Sequence, residues 1–150
     1  VEIGVPPLER RLRMAARLAE RGWPIGLRFD PLVWQPGCLE LYRDLFARVF
    51  AAIPRGSVHS VSLGTFRLPA AFHKKLEKLH PDAPLVQAGP FENYGGMVSY
   101  RRDLERRLVE TCTAELLRYI PEEIFFPCPL PALETDPALE SVRPTGASPG

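Results

Sequence analysis

A cation and a carboxylate stand two positions apart near the end of an apolar run, as Arg28 and Asp30, with Pro31 immediately after them. In an extended strand, residues i and i+2 share a face. The two side chains can therefore pair with each other, or both can hydrogen-bond a ligand. A structural ion pair in which Asp30 caps the turn at Pro31 stays open as an alternative.

A second candidate is the run Ser62-Leu63-Gly64-Thr65, which closes another apolar stretch and is followed by Arg67. Small and hydroxyl-bearing residues at a strand end let a ligand approach the backbone closely. The same residue types are also ordinary turn formers. The sequence alone leaves both interpretations open.

A third candidate is the stretch 91–100, in which two adjacent glycines separate aromatic-bearing runs. This pattern predicts an inserted β-hairpin at about 85–100. Exposed Tyr94, Met97 and Tyr100, beside Arg101 and Arg102, can stack on bases and contact phosphate. In the alternative, the aromatic side chains cover the sheet and the arginines open a helix.

The sequence contains none of the common catalytic, metal-binding or nucleotide-binding motifs. The chain has no G-x-G-x-x-G, Walker, H-E-x-x-H or G-x-S-x-G motif. Cys38, Cys112 and Cys128 are too widely spaced for a zinc site or a disulfide framework, and each is interpreted as a small buried side chain. The three histidines belong to none of these motifs. We therefore predict neither a catalytic residue nor a metal ligand in this chain.

The elements that must position these residues are three helix-then-strand units. Amphipathic stripes predict long helices from Leu8, around Leu41 to Ile53, and from Leu104 to Leu116. The short apolar runs that follow them are 24–29, 58–63 and 123–126. Helix then strand, repeated, is typical of a parallel sheet, and its carboxyl ends are where ligands bind in α/β proteins.

The faces of two helices carry further expectations. A shorter helix at about Ala70–Leu79 should turn Phe72, Leu76 and Leu79 inward. Its lysines, at positions 74, 75 and 78, should face water. In the last long helix, Glu105 is expected on the solvent side.

Composition limits the function classes. With 150 residues, 45% hydrophobic, the chain can form one core, which we place at 1–130. A net charge of +1 excludes a strongly basic nucleic-acid-binding protein. No stretch is apolar enough to span a membrane, so a cytoplasmic location is expected. Proline enrichment predicts a flexible tail at 131–150, and a first residue of Val rather than Met suggests a fragment.

Two strings in this order resemble the spore photoproduct lyase family of radical SAM proteins. The run 22–32, GWPIGLRFDPL, is similar to a family passage that in the non-spore-former branch reads G-F-H-F-D-P. The run 61–69, VSLGTFRLP, is similar to that branch's I-S-L-G-S-L-R-F-P. The similarity runs in uninterrupted order from about residue 1 to 128.

The resemblance implies the α/β fold of the C-terminal half of a partial (β/α)₆ barrel. It also implies radical-based repair of a thymine-dimer lesion in DNA by a full-length parent that binds S-adenosylmethionine and a [4Fe-4S] cluster. The cluster cysteines of the family belong to the missing N-terminal half, the expected partner of this chain.

Carried over residue by residue, Asp30, Ser62, Gly64 and Arg67 match the family, and Arg28 replaces a histidine. The resemblance assigns Arg28, Asp30, Ser62 and Gly64 to cofactor contact, and it assigns Arg67, Tyr94, Met97, Tyr100 and Arg101 to the DNA substrate. In the hairpin, Gly96, Val98 and Ser99 replace the family's Lys, Arg and Tyr.

Three hypotheses follow. The chain is the C-terminal part of such a lyase, inactive without its other half. Alternatively, it is a half-barrel without redox chemistry that binds a nucleotide-like ligand or a protein partner. As a third possibility, it is a gene-call fragment that does not fold alone.

Overall fold

The computed structural model describes residues 4–128 of the chain, as five helices and six strands. The helices are α1 (Leu8–Glu20), α2 (Cys38–Ala52), α3 (Ala70–Leu79), α4 (Pro84–Gln87) and α5 (Arg102–Leu116). The strands are β1 (Ile25–Leu32), β2 (Val58–Thr65), β3 (Arg67–Pro69), β4 (Phe91–Tyr94), β5 (Met97–Tyr100) and β6 (Phe125–Pro127). The tail predicted at 131–150 lies outside the described residues.

The central element is a three-stranded parallel sheet in the order β1-β2-β6. Arg28 is level with Ser62, and Ser62 with Phe126, so the three strands end at the same edge. The pairing of β1 with β2 becomes irregular between Phe29 and Leu32. The helix-then-strand pattern therefore correctly predicted a mixed α/β fold with a parallel sheet.

Helices α1, α2 and α5 cover one face of this sheet. The core between them is built from fully buried side chains on both layers, including Phe46, Val61, Leu63, Leu108 and Leu116. Gly22 has a φ of 81° directly after α1, a left-handed conformation that glycine adopts readily and that ends the helix before β1. Cys38 and Cys112 lie in this core, as the sequence indicated.

The opposite face of the sheet carries no helix among residues 4–128, and its composition is different. Strand alternation places Gly26, Arg28 and Asp30 of β1 on this open face, and Ser60, Ser62 and Gly64 of β2 beside them. Parallel sheets are normally apolar on both sides because helices cover both sides. This face is polar and made of small residues, and it therefore lacks the apolar surface that a second helix layer would need.

A second, antiparallel sheet follows the parallel one directly. Its order is β3-β5-β4. Strands β4 and β5 are joined by Gly95 and Gly96, whose φ angles of 58° and 89° suit the two central positions of a type I′ turn. The sequence did not predict β3, because a three-residue strand carries no readable alternation.

The face of α3 differs from the expected one. Phe72 and Leu79 are more than half exposed, and the fully buried residue of α3 is His73. Helix α3 buries this side because it packs on the small antiparallel sheet, where the His73 ring meets the Phe91 ring edge-on at 5.0 Å. Leu41 of α2 is likewise exposed, although its place in the apolar stripe predicted a core position.

Leu108 and Leu41 provide a matched test of the helix layer, because the first is fully buried and the second is 57% exposed. Leu108→Ala should lower the free energy of unfolding by about 2–5 kcal/mol, since it leaves a cavity between α5 and the sheet. Leu41→Ala should change it by less than about 0.5 kcal/mol. Urea denaturation measures both, and equal effects would refute the core as described.

Candidate functional site

An ion pair marks the carboxyl end of β1. The Arg28 guanidinium donates to Asp30 Oδ2 from Nη2 at 2.7 Å and from Nε at 3.2 Å. The Arg28 side chain is largely exposed, whereas the Asp30 side chain is mostly covered. The hydrogen bond to Asp30 raises the pKa of Arg28 further. The pair holds the carboxylate in one orientation on the open face.

Gly64 lies against this carboxylate on the neighbouring strand. A Cβ at position 64 would be 3.1 Å from Asp30 Cγ and 3.2 Å from the Cβ of Cys128. These separations are tighter than ordinary contacts, so the lack of a side chain lets β1, β2 and the end of β6 approach each other here. The sequence singled out Gly64 for close approach of a ligand, and the structure shows close approach of two protein side chains.

Cys128 was missed as a site residue. Its backbone N–H donates to the Leu63 carbonyl at 2.8 Å, which extends the pairing of β6 with β2 by one residue. Arg67 Nη2 donates to its thiol sulfur at 2.9 Å. We call Arg28, Asp30, Gly64, Arg67 and Cys128 the edge cluster. Its signal in the sequence was the position of Cys128 directly after an apolar run.

Glu105 was also misplaced by the sequence. It is 2% exposed rather than on the solvent side. Its carboxylate accepts hydrogen bonds from the hydroxyls of Thr65 and Ser99, and the Ser99 hydroxyl also lies 2.9 Å from the Phe66 carbonyl. Buried carboxylates require such partners. Glu105 therefore joins α5 to the end of β2 and to β5.

Two tyrosines hold the loop that follows β1. The Val33 N–H donates to the Tyr42 hydroxyl at 2.6 Å, and the Trp34 N–H donates to the Tyr100 hydroxyl at 2.9 Å. Burial raises the pKa of Tyr42 to about 12 and also raises that of Tyr100, so both phenols stay neutral at ordinary pH. The expectation that Tyr100 is exposed is wrong, because its ring is fully buried. Tyr100 connects the small sheet to the edge cluster's loop instead of presenting a face to a base.

The other candidates on the hairpin, Tyr94, Met97 and Arg101, make their contacts with residues outside the edge cluster. Tyr94 is half-buried, its hydroxyl donates to Glu92 at 2.6 Å, and Arg102 stacks over its ring at 4.7 Å. Met97 pairs with Tyr94 and with Pro69. Arg101 is exposed and bonds both carboxylate oxygens of Asp103, at 2.6 and 2.8 Å. The structure thus brings Arg28, Asp30, Gly64 and Arg67 together, with Ser62 beside Arg28, and holds the hairpin residues separately.

The site offers hydrogen-bonding groups rather than metal ligands. Within residues 4–128 there is no group of three His, Cys, Asp or Glu side chains that could hold a metal ion. These residues therefore do not fit an iron–sulfur cluster. A carboxylate, two guanidiniums and a serine hydroxyl at the carboxyl ends of parallel strands fit a polar organic ligand with hydroxyl and anionic groups.

The chain is thus a mixed α/β unit whose parallel sheet has one polar open face and a charged cluster at its carboxyl edge. No protein-family model matches the chain. Spore photoproduct lyase of Bacillus subtilis (strain 168) is 28% identical to it over 128 residues, which covers 80% of this chain and 37% of that protein. The chain thus spans well under half the length of this relative.

Solved structures show the same likeness in the fold. A spore photoproduct lyase variant with bound AdoMet and dinucleoside spore photoproduct matches with a TM-score of 0.66 at 19% identity, covering 83% of this chain and 38% of that one. Spore photoproduct lyase complexed with the dinucleoside spore photoproduct matches with a TM-score of 0.64 at 18% identity, with the same coverage. The resemblance indicated by the two strand-end strings is confirmed.

Gly64 provides a test of the edge cluster. Gly64→Ala should destabilise the protein by about 1–3 kcal/mol, because the new methyl group must displace Asp30 or Cys128. Gly56→Ala is the matched control, since no heavy atom lies within 4 Å of a Cβ there. Urea unfolding compares the two variants. Equal stability of both would show that the strands do not approach each other as described.

Asp103 provides a pH test of the hairpin junction. The hydrogen bond from Arg101 lowers the pKa of Asp103 to about 2. Because this value is below that of an unfolded chain, the pair favours the folded state at neutral pH and loses that effect as the pH falls towards 2.

In a carboxyl NMR titration, Arg101→Gln should raise the pKa of Asp103 from about 2 towards its ordinary value, because the hydrogen bond that lowers it most is lost. Arg106→Gln removes the same charge three residues after Asp103 and should leave the Asp103 midpoint in place. If the midpoint of the unmutated chain is already ordinary, the ion pair does not form in solution.

Proposed function

We propose that this chain forms the C-terminal part of a protein that acts as spore photoproduct lyase does, by radical-based repair of a thymine-dimer photoproduct in DNA. In this proposal the open face of the parallel sheet is the interior of a partial (β/α)₆ barrel. The remaining strands come from a further, N-terminal part of the protein. The small sheet with β4 and β5 is the inserted hairpin of that barrel.

The observation that carries the proposal is the polar open face, combined with the similarity to a lyase over 80% of the chain. Both outer strands, β1 and β6, have one neighbour each among the described residues. A closing barrel would pair such edges and would enclose the polar face. Its interior at the carboxyl ends is where α/β barrels bind their ligands.

AdoMet is the cofactor that the edge suits. Asp30 can accept hydrogen bonds from ribose hydroxyls, and Ser62 can donate to or accept from the same ligand. Arg28 keeps the carboxylate oriented, and Gly64 keeps the edge compact. Bound AdoMet would supply the radical after accepting one electron from an iron–sulfur cluster. The ligands of that cluster would have to come from outside residues 4–128.

In this proposal the lesion is contacted by Arg67, on the side of the edge cluster that faces the hairpin. Arg67 begins β3 and reaches back to Cys128, so it stands between the cofactor end of the sheet and the hairpin. Tyr94, Met97 and Arg101 remain candidates for DNA contact on the hairpin. Of these, Arg101 must exchange its Asp103 partner for a phosphate before it can contribute.

Asp30 tests the proposal most simply. In an NMR titration of the chain with AdoMet, backbone signals of residues 30, 62 and 64 should shift, and Asp30→Asn should weaken binding at least about 10-fold, because a hydrogen bond to a charged acceptor is lost. Asp44→Asn is the control, because Asp44 is an exposed carboxylate beside Arg48 on the solvent side of α2.

Binding of AdoMet that is unaffected by Asp30→Asn would contradict the proposal, which places the ligand contact on this carboxylate. Tight binding by the chain alone, without iron, would favour the second hypothesis of a ligand-binding half-barrel.

Within residues 4–128, no helix combines the length and apolar character of a bilayer-spanning segment.

A further inference from the structure

Helix α3 presents a concentrated positive face that the candidate site does not use. Lys74, Lys75 and Lys78 are all exposed. At about 100° per residue they fall within roughly a third of the helix circumference, opposite buried His73. None of the three lysines makes an ion pair with another of the described residues. The acidic residue of α3, Glu77, lies beside His73 instead, 3.5 Å from its Nδ1.

This face is attached firmly to the hairpin. The first residue of α3, Ala70, donates its N–H to the Gly96 carbonyl in the β4–β5 turn at 2.8 Å. Arg67 to Pro69, which lead into the helix, pair with β5. His73 contacts the Phe91 ring on β4. Helix α3 and the hairpin therefore form one unit, and its lysines hold a fixed position relative to the turn.

The same unit is fixed to the edge cluster. A single residue, Phe66, separates β2 from β3. Glu105 bonds Thr65 at the end of β2 and Ser99 in β5. The unit that carries the lysine face is therefore tied to the strand edge at which ligand is proposed to bind, and it cannot swing away without breaking buried hydrogen bonds.

We propose that the solvent face of α3, through Lys74, Lys75 and Lys78, binds the phosphate backbone of duplex DNA on either side of a lesion held at the edge cluster. Lysines are point charges on flexible four-carbon stems, which suits phosphate contact without base recognition. This inference rests on the proposed function. It explains how a chain with a net charge of +1 can still hold a polyanion, since the positive charge is concentrated on one helix face.

The test uses undamaged duplex DNA of about 20 base pairs, measured by fluorescence anisotropy over a range of salt concentrations. Each phosphate neutralised contributes about 0.9 to the slope of log affinity against log salt. Replacing all three lysines by glutamine should lower that slope by about 2 to 3 and weaken binding 10- to 100-fold at low salt. Lys75→Gln alone should lower it by about 1.

A matched control removes three exposed arginines of α1, in Arg10→Gln, Arg13→Gln and Arg17→Gln combined. This variant should keep the slope of the unmutated chain. Equal losses in both triple variants would mean that total charge, not the α3 face, determines binding, and would overturn the inference. So would the absence of duplex binding by the unmutated chain at any salt concentration.

The dinucleoside lesion separates this inference from the proposed function, because it has no flanking duplex. The α3 triple variant should bind the dinucleoside spore photoproduct as the unmutated chain does. If the unmutated chain binds duplex but not the dinucleoside, the proposed function fails while the α3 surface stands. If it binds the dinucleoside and the α3 variant keeps full duplex affinity, only the α3 inference fails.

Discussion

The structure depends on a parallel sheet that, within residues 4–128, is covered by helices on one face only. Such sheets are stable when both faces exclude water, and here α1, α2 and α5 supply one apolar layer while the other face carries glycine, serine, arginine and aspartate. The core under the helices fixes the strand register, and the register places Arg28, Asp30 and Gly64 at one edge. In the proposed function, this polar face lines the interior of the barrel.

The buried carboxylate of Glu105 joins this sheet to the rest of the molecule. Thr65, at the end of β2, and Ser99, in the small sheet, both donate to it, so the hairpin unit and the parallel sheet share one hydrogen-bonded joint. Tyr100 adds a second connection through Trp34. Together they bring the hairpin, the lysine face of α3 and the edge cluster into one fixed arrangement, which a DNA-lesion site would need.

Local patterns in the sequence predicted the elements well, because helix stripes and short apolar runs are local signals. The strand-end strings also predicted four members of the edge cluster. The failures came from tertiary contacts that no local pattern records. The helix pattern predicts Glu105 on the surface, but the fold brings Thr65 and Ser99 to its carboxylate. The same kind of pattern predicts Phe72 in the core, but it is His73 that packs against Phe91. The sequence suggests an exposed aromatic at Tyr100, but the Phe66 and Phe91 rings pack against it and the Trp34 N–H donates to its hydroxyl. Cys128 belongs to no motif, and its role follows from its contacts with Leu63, Gly64 and Arg67.

In the proposed function, the open face of the parallel sheet binds AdoMet and the lesion at its carboxyl edge. Hydrogen–deuterium exchange of the chain, with and without saturating AdoMet and dinucleoside spore photoproduct, tests it directly. We expect slower exchange in peptides spanning 28–34 and 62–67, with no change in the helix layer at 8–20 and 38–52. Protection confined to the helix layer, or none at saturating ligand, would contradict it.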